Sequence, residues 1–135
     1  RNALEIVRSD FISEKVGLET YWLSNSFSIP KNDSSCAYLL PAFDEFIISY
    51  KDRIASLPLE NHKKAVSENG IFRPVILING QVIGIWKRTI NKEKVIVETD
   101  LFQPHSKSIE SLIEKEAEVF GAFLGKKAEV KHNIK

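Results

Sequence analysis

Apolar positions in the first third of the chain change period more than once. Residues 4, 7 and 11 are apolar at helical spacing, which predicts the tail of a preceding helix over 1–11. Residues 13–16 and 19–23 flank Gly17 and predict a short hairpin. PKNDSS at 30–35 is a turn cluster, and Ala37–Leu40 is a short apolar strand ending at Pro41. Beyond it, Phe43, Phe46, Ile47 and Tyr50 fall at i, i+3, i+4 and i+7 and predict a helix. Asp44 and Glu45 suit its positive end, Lys51 and Arg53 its negative end. Residues 56–70 read as a long connection with a helical turn around 62–66.

The sharpest local signal is Asn79-Gly80 between two strand-like runs, Val75–Ile78 and residues 81–88. Both residues of such a turn need positive φ, which Asn and Gly tolerate. A two-residue turn sets Ile78 opposite Gln81 and Val75 opposite Gly84, and the extended ladder sets Arg73 opposite Trp86 as a cation–π pair. Val75–Ile78 is apolar on both faces and belongs in the middle of a sheet. Residues 94–102 predict the next strand. After Pro104, Ser108 is the expected helix N-cap, and Ile109, Leu112, Ile113, Phe120, Phe123 and Leu124 form an apolar stripe that stops at Gly125. Gly121 inside this helix implies a close approach.

These elements predict an α+β fold. An antiparallel sheet of five to six short strands, able to curl into a partial barrel, carries a short helix after Pro41 and a C-terminal helix packed on the sheet. Residues 1–135 read as a single domain, with 126–135 a polar tail.

At 135 residues, 43% of them hydrophobic, the chain can bury a core unaided. No apolar run approaches the roughly 18 residues of a membrane span, so no membrane partner and a cytoplasmic location are expected. The single cysteine, Cys36, excludes an intrachain disulfide and reads as a small buried hydrophobe. The three histidines are scattered, so no metal and no cofactor is expected. With no methionine, the chain reads as a C-terminal piece of a longer protein.

Net charge is only +1, but its distribution is uneven. Residues 1–50 carry 4 basic and 7 acidic groups, residues 51–95 carry 9 and 4, and residues 96–135 carry 6 and 7. The basic middle can attract phosphates whatever the total charge. No Gly-rich phosphate loop or nucleophile elbow is present, so no catalytic residue is assigned. The candidate site is a surface: Lys51, Arg53, Arg73, Lys87 and Arg88, with Tyr50 and Trp86 among them. Cations interleaved with aromatics suit nucleic acid. The opposing explanation makes the aromatics core-edge residues and the cations solvated stems.

Two stretches carry a family resemblance. YLLPAFDEFIISYKDR at 38–53 and GIFRPVILINGQVIGIWKR at 70–88, followed by AFLG at 122–125, resemble a bacterial winged-helix DNA-binding family. That family includes DNA glycosylases that remove alkylated bases and unhook interstrand crosslinks. The resemblance implies tandem winged helices on a basic concave surface, with this chain as the C-terminal region. It also implies DNA and the N-terminal region of the same protein as partners. The glycosylases use a Gln-x-Gln or Gln-x-Asp motif; the glutamines here are Gln81 and Gln103, in neither motif. The expected function is DNA support that positions phosphates without excision chemistry. The alternatives are a scaffold docking on the N-terminal region without ligand contact, and a standalone enzyme or ligand domain, which would need a deep polar pocket.

Overall fold

The structure is a computed structural model that describes residues 5–28 and 35–133. It divides into two compact units, Arg1–Asp33 and Ser34–Lys135. In the first, β1 (Phe11–Val16) and β2 (Glu19–Ser24) form an antiparallel hairpin pairing Val16 with Glu19. The hairpin is the one expected around Gly17, which supplies the positive φ (64°) at the first turn position. A 3₁₀ turn, Arg8–Asp10, precedes it, and Arg8 lies over the Trp22 ring at 5.9 Å. The expected helix tail falls partly on residues 1–4, and the turn cluster mostly on 29–34, both outside the described residues.

The second unit holds a five-stranded sheet in the order β3-β4-β5-β6-β7. Its strands are β3 (Ala37–Leu40), β4 (Val75–Ile78), β5 (Gln81–Ile90), β6 (Lys94–Leu101) and β7 (Lys127–Asn133). Three helices accompany them: α1 (Glu45–Ile48), α2 (Leu59–Ala65) and α3 (Lys107–Phe123). Every β4 residue is buried, because the strand lies between β3 and β5 with a cluster on each face. On one face Val75 and Leu77 join Ile47, Leu57, Ala65 and Val82. On the other Ile76 joins Trp86, Val97 and the α3 residues Ile113 and Ala117. The unit is thus layered: α1, α2 and their loops, then the sheet, then α3.

Several expectations are corrected. The sheet is not wholly antiparallel and does not close into a barrel, since β7 pairs parallel to β6. Of the expected polar tail at 126–135, Lys127–Asn133 is instead that strand, and residues 134–135 lie outside the described residues. Its alternation of Lys127, Glu129 and Lys131 with Ala128, Val130 and His132 hides one face only, so its polarity resembles a tail's. The α3 crossover delivers it: Gly125 (φ 64°) ends the helix and Lys126 N–H bonds the Gly121 carbonyl. Gly121 is required by close approach, since a Cβ there would lie 2.8 Å from Lys126 O and 3.0 Å from Ala128 Cβ. The α3 N-cap is Ser106 rather than Ser108, and Phe123 is exposed. The helix after Pro41 is a single turn capped by the Asp44 carboxylate on Phe46 N–H (2.9 Å). Of its predicted stripe only Ile47 is buried; Phe43, Phe46 and Tyr50 are exposed. Cys36 is exposed rather than buried.

Candidate functional site

The β4–β5 hairpin decides where the candidate cations point. Asn79 and Gly80 have φ of 48° and 82°, and Ile78 faces Gln81 as expected. The ladder then slips: Leu77 faces Val82, but Ile76 faces Gly84 and Val75 faces Ile85. One extra β5 residue at this bulge inverts the face relation for everything beyond it. Arg73 therefore does not sit opposite Trp86. Trp86 N–H bonds Pro74 O (3.1 Å), and Arg73 falls on the face of Ile85.

Trp86 is 3% exposed. Its Nε1 donates to Leu40 O at 2.8 Å and its ring meets Phe120 edge-on at 5.6 Å. It is a core residue that cannot stack on a base. The cation over it is Arg88, at 5.9 Å. Lys87 and Arg88 are neighbours in β5 and so project from opposite faces. Arg88 shares the α3 face. Lys87 shares the other with Ile85, and Glu98 stands directly across from it.

The remaining cations gather around α2. Arg53 Nε donates to Ile47 O (2.9 Å), closing the end of α1, and its guanidinium lies 5.2 Å from the Phe72 ring. Lys51, Arg53 and His62 line a shallow hollow of about 360 Å³ on one side of α2. On the other side Lys63, Lys64 and Arg73 rim a larger cleft of about 670 Å³. Lys64 Nζ is held by Asn61 Oδ1 (2.9 Å) and lies 5.0 Å from the Phe102 ring. His62, Lys63 and Lys64 occupy the last turn of α2, where its negative end favours cations.

The cleft has an apolar side made by Ile85, Leu101, Phe102 and Pro104. Asp100, Gln103, Glu110 and Asn133 supply polar groups to its lining. His132 completes it: Nδ1 is 2.9 Å from Thr99 Oγ1, while buried Nε2 makes no hydrogen bond and lies 3.8 Å from Glu114 Oε1. Gln81, by contrast, is structural, its Nε2 donating to Ala55 O. Sequence reasoning does not single out Lys63, Lys64, His132 or the cleft as a whole. The lysines belong to the basic middle of the chain, but nothing in their spacing announces the partners that chain folding brings to them.

Among the described residues, no group of three or more His, Cys, Asp or Glu side chains could hold a metal ion, and no helix is long and apolar enough to cross a membrane.

The family described as "DNA glycosylase AlkZ-like" matches residues 1–123. Among curated proteins there is no match. The solved structure of the Streptomyces sahachiroi DNA glycosylase AlkZ shares the fold with a TM-score of 0.69 at 20% sequence identity. The match covers 98% of this chain and 36% of that one, so this chain spans about a third of its length.

Proposed function

The chain belongs to the AlkZ-like DNA glycosylase family, and on that premise we propose that it is a DNA-supporting region, the C-terminal part of a longer repair protein. In this reading the winged-helix region and the excision chemistry lie elsewhere in that protein, which works on DNA in the bacterial cytoplasm. Arg73, Lys63 and Lys64 hold backbone phosphates, with Lys51 and Arg53 extending the cationic surface past α2 and Lys87 at its margin. The observation that carries the reading is the convergence of Lys63 and Lys64 from α2 and Arg73 from the segment before β4 on one cleft. Tyr50, 70% exposed, is the aromatic free to meet a base or sugar. Trp86 acts from inside, as the floor beneath Arg88.

The test is duplex affinity against salt for the wild type, for a Lys63→Ala/Arg73→Ala variant, and for Arg88→Ala. Each phosphate pairing removed should flatten the slope of log affinity against log salt by roughly 0.9. The double variant is expected to flatten it by about two such steps, while Arg88→Ala leaves it unchanged. An unchanged slope in the double variant refutes the assignment.

Docking without DNA contact has one observation in its favour. Phe43, Phe46, Ile54 and Leu59 are all more than 40% exposed around α1 and α2, a local density of apolar groups suited to a protein partner. Dimerisation of the chain that disappears on adding the rest of a longer family member would support it.

A further inference from the structure

The cleft beside α2 is much roomier than phosphate positioning requires. At about 670 Å³ it falls in the range of sites that enclose a whole small molecule. Its lining combines three kinds of chemistry. Lys63, Lys64 and Arg73 bring cations from α2 and the segment before β4, Leu101, Phe102 and Pro104 bring apolar surface, and Asp100, Gln103, Glu110 and Asn133 bring polar and acidic groups. A ligand complementary to all three carries a compact anion at one end, a flat apolar body, and donors and acceptors along its far edge.

We infer that this cleft binds one nucleoside phosphate unit, its phosphate on Arg73, Lys63 and Lys64 and its base edge toward Asp100, Gln103 and Asn133. A side-chain amide can pair bidentately with a base edge, and a carboxylate can accept only from an exocyclic amino group or ring N–H. The acidic group thus favours an amino-bearing base, adenine, cytosine or guanine. Phosphate on Arg73 gains the planar two-donor fork that a lysine lacks. The shared chemistry is a nucleotide, whether free or an unpaired residue of DNA. The inference deepens the DNA-contact reading and rests on part of the same surface, but its base-dependent part fails or stands separately.

The experiment follows backbone amide NMR shifts of the full chain, especially at 100–105 and 130–133. The probes are deoxyadenosine 5′-monophosphate, deoxyadenosine and inorganic phosphate. The monophosphate should bind about tenfold more tightly than either fragment, since the two ends contribute together. Arg73→Ala should weaken the monophosphate about tenfold and leave the nucleoside unchanged. Asn133→Ala, at an exposed strand end, should weaken both base-bearing probes and leave inorganic phosphate unchanged. Anisotropy with a duplex carrying one unpaired adenosine, against a fully paired duplex, separates the sources. A preference for the unpaired nucleotide that Asn133→Ala abolishes assigns the site to DNA, whereas monophosphate binding without that preference assigns it to free nucleotides. If the monophosphate binds no better than inorganic phosphate and the two duplexes bind alike, the inference is overturned, even if the salt-dependent duplex affinity survives.

Discussion

Replacing Trp86 by Phe separates a core role from a surface role at a position whose sequence context suits either. The indole N–H bonds the Leu40 carbonyl, tying β5 across β4 to the end of β3. Phenylalanine leaves that half-buried carbonyl without its donor, at a cost of about 1–3 kcal/mol. It also removes the packing of about two buried ring carbons, roughly 0.8 kcal/mol each by transfer. Part of the edge-on packing against Phe120 survives, because phenyl can keep that geometry. The expected destabilisation is therefore about 2.5–4.5 kcal/mol, a large fraction of the roughly 5–15 kcal/mol typical of a domain. Urea unfolding followed by far-UV circular dichroism reads it as a midpoint lowered by about 1–2 M at a slope near ~2 kcal/mol/M. Duplex affinity of the folded protein should stay at the wild-type value. A stability change within about 0.5 kcal/mol, as for ordinary surface positions, together with weakened DNA binding would refute the core assignment.

Other outcomes follow from the packing and the charges. Gly121→Ala gains about 1 kcal/mol of helix propensity but drives a methyl into Lys126 O and Ala128, an overpacking cost of about 1–3 kcal/mol. Net destabilisation in urea is expected, and a stabilised variant would show that α3 can withdraw from β7. Lys94 bonds the Glu129 carboxylate across β6 and β7 and holds it below its ordinary value of 4.5, with Lys131 and Lys127 adding to the effect. Stability from this pair is therefore present above that pH and lost as pH falls through the lowered value. Glu129→Gln should lower the melting temperature modestly at neutral pH and flatten its dependence on pH below 4.5, so that the variant and wild-type curves meet in acid; an unaltered acid limb would show that the pair does not contribute.

Most of the local structure is legible in the chain itself. Asn79-Gly80 and Gly17 specify their turns because few residues accept positive φ, and the doubly apolar Val75–Ile78 is stable only between two strands and two layers. The α3 stripe and Gly125 mark a helix and its stop by spacing alone. Relations between segments are what the sequence leaves open. The β7 strand is polar at every second position and pairs with β6 across the whole of α3, so nothing local distinguishes it from a solvated tail. The bulge near Gly84 depends on how β5 must bend to pair with β4 and β6 together. That single extra residue moves Arg73 from the Trp86 face to the cleft. The cleft itself joins α2, the end of β6, the loop after it and β7, which lie far apart in the chain. A chain's pattern reports which side chains seek burial and which backbone turns are permitted. Which cations meet in one place depends on register and crossover, and those are set only when the sheet and its covering helices pack together.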